Sequence, residues 1–171
     1  ASIDPGSEET LFEQALALRR ELGDTEGIAE SLFQLGLVHQ VLRRDLDVGA
    51  PFVHEALEVV ATVPAADVLL RSEIHRHAGF DALRFGEETD AAARFAVAIE
   101  IDPGFAVPYS GMAKLDATRG ALRDALRWMD QAIERAPTRA FYLARKGLLL
   151  LQVGEADAAA ALIESACRSS P

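Results

Sequence analysis

Residues 86–103, GEETDAAARFAVAIEIDP, decide the fold of this chain because the pattern that they carry recurs twice downstream. The same order of glycine, alanine, alanine and proline returns in residues 120–137 and again in residues 154–171. Each copy is displaced by 34 residues from the one before it. A fixed period of that length is typical of a solenoid built from stacked supersecondary units. The sequence therefore predicts a repeat array.

Each 34-residue unit is interpreted as two helices, A and B, joined by a tight turn. Gly86 is placed at the turn because glycine adopts a positive φ without steric cost. Ala91 and Ala98 lie two turns apart on one face of helix B, where a methyl group permits close approach to helix A. Phe95 lies between them as the larger side chain. Pro103 ends the unit, because proline cannot continue a helix.

Apolar residues at helical spacing extend this pattern over nearly the whole chain, and no stretch shows the alternation of a strand. Residues 1–7 are predicted to form an irregular lead-in, with Ser7 as a helix N-cap. Pro64 is placed in the first turn of the fourth helix, where proline is tolerated. We expect about nine helices, over residues 8–22, 25–42, 49–62, 65–84, 88–101, 106–118, 121–135, 139–152 and 155–168.

At these residues the chain resembles the tetratricopeptide repeat (TPR) family. The match is best within residues 72–103, on Gly79, Gly86, Ala91, Phe95, Ala98 and Pro103. Further upstream, Leu32-x-x-Leu35-Gly36-x-x-His39 is similar to a helix A signature, and the spacing there resembles longer-unit variants in bacterial regulatory and signalling proteins. The resemblance implies an all-α, right-handed α-α superhelix. It divides the chain into a lone helix and four repeats, at residues 8–28, 29–71, 72–105, 106–139 and 140–171.

Composition limits the classes of partner. Half of the residues are hydrophobic and the net charge is −10, so a nucleic acid or an anionic membrane surface is not expected as a partner. No secretory or membrane-spanning segment is recognised, and the chain is interpreted as cytoplasmic. The single cysteine, Cys167, excludes an internal disulfide and is expected to be a small apolar residue on the last helix.

No catalytic motif is present: the sequence has no phosphate-binding loop, nucleophile elbow or zinc-binding His-Glu-x-x-His. His75 and His77 have the spacing of a metal pair, but side chains two residues apart on a helix diverge. We expect one histidine to face the hairpin core and the other the groove. The acidic residues concentrate at turns and early in B helices, where they suit the helix dipole. No enzyme activity, metal or cofactor is predicted.

The resemblance implies that the A helices line a concave groove that binds a protein or peptide. Basic side chains there suggest a partner with acidic and apolar groups, and phenylalanines would be its apolar anchors. In the alternative interpretation the basic residues are solvated or paired with Glu73 and Asp116. The predicted groove residues are Phe33, Leu37, Gln40, Arg76, His77, Phe80, Arg84, Lys114, Phe141 and Arg145. Thr118, Leu148 and Gln152 are projected onto the same face.

Two further considerations concern partners. The TPR proteins that capture the C-terminal carboxylate of chaperones require an asparagine at the place of Gly111, so that function is not expected. The end helices carry leucines that would be open to solvent, namely Leu11, Leu18, Leu148, Leu151 and Leu162. Exposed apolar patches mark association sites. The alternative function is therefore a self-assembly or regulatory module of a larger signalling or transcription-regulating protein, acting through its end faces as a homo-oligomer.

Overall fold

A computed structural model describes residues 5–169. Within that range the chain forms nine α-helices and one π-helical turn, without a strand. The α-helices are α1 Pro5–Leu22, α2 Thr25–Leu37, α3 Leu46–Ala61, α4 Val68–Phe85, α5 Glu88–Ile101, α6 Ala106–Thr118, α7 Leu122–Arg135, α8 Ala140–Gln152 and α9 Ala156–Ser169. The π-helical turn, Val38–Leu42, continues α2 directly.

The helices pack in chain order as hairpins. The closest pairs are α2 with α3, α4 with α5, α6 with α7 and α8 with α9, and consecutive hairpins also contact one another. Helix α4 additionally packs on α6, so that first helices of neighbouring hairpins adjoin. Helix α1 lies against α2 and the π-helical turn. This order places α2, α4, α6 and α8 in the A position and α3, α5, α7 and α9 in the B position.

The repeated small residues occupy the places that the sequence predicts. Gly86, Gly120 and Gly154 have φ values of 80°, 76° and 85°, which only glycine adopts without strain. The repeated alanines of the B helices are all buried, namely Ala91, Ala98, Ala125, Ala132, Ala159 and Ala166. Methyl groups at these positions allow the two helices of each hairpin to approach closely. Pro171 lies outside the described residues.

The N-terminal region differs from the prediction. Helix α1 already begins at Pro5, so Ser7 lies within it and is not its N-cap. Proline suits that first position because the first N–H groups of a helix have no helical acceptor. The predicted second helix changes at Val38 to π-helical hydrogen bonding, in which Arg43 N donates to Val38 O. Residues 1–4 of the predicted lead-in lie outside the described residues.

Two helix starts also differ, and in both an aspartate N-cap decides the start. Helix α3 begins at Leu46 because the Asp45 side chain accepts from Val48 N at 3.1 Å, so the predicted break of residues 43–48 is shorter. Helix α4 begins at Val68 because Asp67 Oδ1 accepts from Leu70 N at 2.9 Å. Pro64 therefore lies in the preceding turn and not in the helix.

Two further observations concern the exposure of Cys167 and whether any helix could span a membrane. Cys167 lies on the last helix as predicted but is exposed, so the packing role expected for it is wrong. Between residues 5 and 169, no helix has both the length and the apolar character needed to cross a bilayer.

Candidate functional site

A pocket of about 290 Å³ opens between α6 and α8. Lys114 and Thr118 lie one turn apart on α6, and Arg145 and Gln152 lie two turns apart on α8, so their polar groups surround one opening. The remaining lining is apolar and consists of Ala113, Ala117, Met129, Leu148 and Leu149. The site thus combines an apolar lining with two cations, a hydroxyl and an amide. We call it the α6–α8 pocket.

Two cations line this pocket, and the charge of a third, Arg84, acts on one of them. Burial holds the pKa of Lys114 below its usual value, and the charges of Arg145 and Arg84 lower it further. In the described part of the chain, none of the three forms an ion pair within 4.0 Å. Lys114 lies 5.9 Å from the centre of the Phe80 ring and Arg145 lies 5.5 Å from that of Phe141. The cluster is therefore a local positive site in a chain of net charge −10.

A second, smaller pocket of about 140 Å³ lies between the π-helical turn and α4. Its buried carboxylate is Asp81, which is 1% exposed. Asp81 Oδ2 accepts a hydrogen bond of 2.7 Å from Gln40 Nε2. Burial raises the pKa of Asp81, while the hydrogen bond from Gln40 and the charge of Arg84 oppose that rise. Arg84 lines this pocket and also acts on Lys114, so it electrostatically links the two pockets.

The two histidines of α4 diverge, as predicted. His77 lines the smaller pocket and packs edge-on against Phe33, with ring centres 5.1 Å apart. Burial, followed by the charges of Arg76 and Arg84, lowers the pKa of His77 to about 3. His75 lies on the other side, where burial and then Arg94 and Arg71 lower its pKa to about 4. No group of metal-ligating residues occurs between residues 5 and 169.

Arg76 is not a free cation. Its Nε donates to Glu73 Oε2 at 2.8 Å, and its Nη2 contacts the same oxygen. The alternative interpretation, pairing with Glu73, therefore describes Arg76. Lys114 is exposed and has no ion pair with Asp116 within 4.0 Å, so of that interpretation only the solvated state applies to it. Among the described residues, the cations of the predicted groove that form no ion pair within 4.0 Å are Arg84, Lys114 and Arg145, of which Arg84 also acts on Asp81.

The predicted apolar anchors divide in the same way. Phe33 is only 5% exposed and belongs to the core, so its role as a groove anchor is wrong. Leu37 is half-buried against the same core. Phe80 is half-buried against the Phe95 ring, whereas Phe141 is 56% exposed. On an A helix, a shift of about one residue moves a side chain from the groove side to the core side. This explains the error at Phe33.

The sequence interpretation assigned none of Asp81, Met129 and Leu149 to a pocket, and of these only Asp81 is charged. A single aspartate on an A helix reads as a solvated charge. Its pocket depends on Gln40, which lies 41 residues earlier in the chain. The available signal was its place one residue after Phe80, on a predicted groove helix.

Three solved structures illustrate the proteins to which this arrangement of helices is similar. BtubC (BKLC) from P. vanneervenii gives a TM-score of 0.74 at 16% identity, over 96% of this chain and 73% of that one. MamA 41-end from Desulfovibrio magneticus RS-1 gives a TM-score of 0.68 at 14% identity, over 97% of each chain. YrrB, a TPR protein described as having an unusual peptide-binding site, gives a TM-score of 0.67 at 17% identity, over 96% of this chain and 81% of that one.

These similarities show the fold. The chain has the TPR-type helical-repeat solenoid that the sequence predicts, and the all-α prediction is confirmed. No family model matches the chain, and no curated protein matches its sequence.

Proposed function

We propose that the chain is a non-catalytic protein-interaction scaffold that binds a partner segment carrying a carboxylate beside an apolar side chain. The observation that carries this proposal is that Lys114 and Arg145 line the same α6–α8 pocket, while the charge of Arg84 also acts on Lys114. Like charges are gathered there at an energetic cost, and an anionic ligand would relieve it. The peptide-binding site named for YrrB supports the class of function.

The α6–α8 pocket suits such a ligand chemically. A carboxylate between Lys114 and Arg145 would receive charge-assisted hydrogen bonds from both. An apolar side chain would contact Met129 and Leu148 in a space of about 290 Å³. The Gln152 amide also lines the pocket and can hydrogen-bond a peptide backbone, whereas the Thr118 hydroxyl donates to Lys114 O at 3.0 Å and can only accept from a peptide N–H. The carboxylate would also raise the lowered pKa of Lys114, because it favours the charged amine.

The non-catalytic part of the proposal rests on the sequence, which contains no recognised catalytic motif. In addition, the carboxylate of the smaller pocket is bonded to Gln40 and the imidazole beside it is held neutral. A binding surface accounts for both pockets without a reacting group.

The test compares two triple charge reversals that change the net charge equally. The site variant is Arg84→Glu/Lys114→Glu/Arg145→Glu, and the control is Arg123→Glu/Arg139→Glu/Arg168→Glu, at exposed positions outside both pockets. A random peptide display library is selected against the wild-type chain, and the selected peptides are measured by fluorescence polarisation. We expect enrichment of Asp or Glu next to apolar residues, and a roughly tenfold or greater loss of affinity only in the site variant.

The proposal is wrong if the selected peptides lack carboxylates, or if both triple variants bind them as the wild-type chain does. Circular dichroism checks that helicity is retained in each. Replacing the selected Glu by Gln in the peptide provides the complementary control, because it removes the charge and preserves the shape.

A further inference from the structure

Helix α1 carries an apolar stripe that nothing in the described structure covers. Leu11, Leu18 and Leu22 are 63%, 55% and 72% exposed. Intervals of seven and four residues place them on one face of the helix. Glu8 and Glu21 border this face on its two sides, and neither forms an ion pair in the described part of the chain. We call this surface the α1 stripe.

Helix α8 carries a second stripe, at the other end of the solenoid. Phe141, Leu148 and Leu151 are 56%, 52% and 49% exposed. Arg145 lies between them on the same face, one turn after Phe141, and its guanidinium has no carboxylate partner among residues 5–169. We call this surface the α8 stripe.

The two stripes match in length and differ in charge. Leu11 to Leu22 spans about 16 Å of helix and Phe141 to Leu151 about 15 Å, at 1.5 Å per residue. The α1 stripe is bordered by unpaired carboxylates, whereas the α8 stripe contains an unpaired guanidinium. Pairing α1 with α8 therefore buries apolar side chains on both sides and brings opposite charges together.

We propose that the α1 stripe of one copy packs on the α8 stripe of a second copy. The two surfaces are different, so the contact is head-to-tail and leads to a ring or a filament. A symmetric contact is disfavoured by charge. Two α1 stripes would bring Glu8 and Glu21 of both copies together, and two α8 stripes would bring two Arg145 side chains together.

This association goes beyond the proposed peptide binding and does not depend on it. Arg145 and Leu148 belong to both surfaces, so a copy on the α8 stripe competes with a peptide in the α6–α8 pocket. The α1 stripe is lined by no residue of that pocket. A variant of α1 therefore removes association and leaves the peptide site intact.

The test uses analytical ultracentrifugation of the full chain from low to high micromolar concentration. The mass of the wild-type chain should rise with concentration, and Leu18→Glu and Leu148→Glu should each remain monomeric. An equimolar mixture of these two variants should form a dimer that grows no further, because each retains one intact stripe. Leu69→Glu, at a leucine that is 59% exposed on α4, should associate like the wild-type chain.

A wild-type chain that stays monomeric at high micromolar concentration overturns the proposal. Association that survives Leu148→Glu but not Leu18→Glu also overturns it, because that result means symmetric α1 pairing. A mixture that contains only monomers indicates that another protein or segment covers the stripes, and contradicts it as well. Where a glutamate variant loses helicity, Arg145→Glu is used instead. It should weaken association, and Glu21→Arg in the second copy should restore it.

Discussion

Gly111 lies against the Phe95 ring so closely that a β-carbon at Gly111 would be 2.5 Å from Cε1 of the ring. Gly79 meets the same ring from α4, with a corresponding distance of 2.7 Å. Phe95 thus packs between two A helices that lack side chains at the contact. This explains physically why the asparagine required for chaperone-tail capture has no place at Gly111.

We predict that Gly111→Ala destabilises the fold. The added methyl group must displace a buried aromatic ring, which costs roughly 1–3 kcal/mol of unfolding free energy. Urea denaturation of Gly111→Ala, Phe95→Leu and the double variant measures the coupling. The methyl group should cost much less in the Phe95→Leu background, because the leucine leaves space for it. Additive costs would contradict the assigned contact.

We predict that Ala98→Leu and Ala132→Leu are both destabilising, by roughly 1–3 kcal/mol each. Both methyl groups are fully buried where a B helix meets its A helix. Ala96→Leu provides a matched control, since Ala96 lies on α5 two residues from Ala98 and is exposed. In thermal unfolding, the two variants at buried alanines should have lower melting temperatures than Ala96→Leu. Equal melting temperatures for Ala98→Leu and Ala96→Leu would show that the alanine face does not set the packing.

We predict that the fold loses stability as the pH falls below about 6.5. His77 has a pKa of about 3 in the folded chain and about 6.5 as a free side chain, so between these values the unfolded chain binds more protons. His75, with a pKa of about 4, acts in the same direction. Asp81 has the opposite effect on stability. Its raised pKa means that the folded chain binds this proton more tightly than the unfolded chain does, so protonation of Asp81 favours folding.

The measurement is urea unfolding between about pH 7 and about pH 5, where the two histidines together should lower the unfolding free energy by roughly 2–4 kcal/mol. The variant His75→Gln/His77→Gln should show a clearly smaller loss over the same interval. His54→Gln is the control, because His54 is a half-buried histidine on α3 and not on α4. An unchanged pH dependence in the double variant would contradict the burial of neutral imidazoles.

We predict that Glu9→Gln loosens α1. Glu9 lies 3.3 Å from His39 Nε2 and pairs with Arg43, so one carboxylate fixes α1 to the π-helical turn and the residue after it. Its loss should cost about 1 kcal/mol and raise amide exchange along α1, because partly buried ion pairs exceed exposed ones in strength. Glu13→Gln, on the exposed side of α1, should leave the exchange unchanged. Equal exchange in both variants would contradict the role of Glu9.

The sequence by itself determined the architecture. Gly86 recurs because its turn has a positive φ, which favours glycine. Ala98 recurs because the close contact between helices has space only for a small side chain. Both requirements are local. Apolar spacing likewise located the helices. The starts at Leu46 and Val68 were missed because each depends on a single aspartate side chain that caps the helix.

Only the tertiary structure decided which of the predicted groove residues are exposed or without an ion pair. Arg76 and Arg84 are alike in sequence, yet Glu73 pairs with the first, while the second forms no ion pair within 4.0 Å in the described part of the chain and acts on Asp81 from a longer distance. Phe33 and Phe141 are likewise both phenylalanines on A helices, but only Phe141 is exposed. The Glu73–Arg76 pair is local to α4, whereas the burial of Phe33 depends on another hairpin, whose His77 ring lies against it. The periodicity of one chain segment carries no information about that neighbouring hairpin.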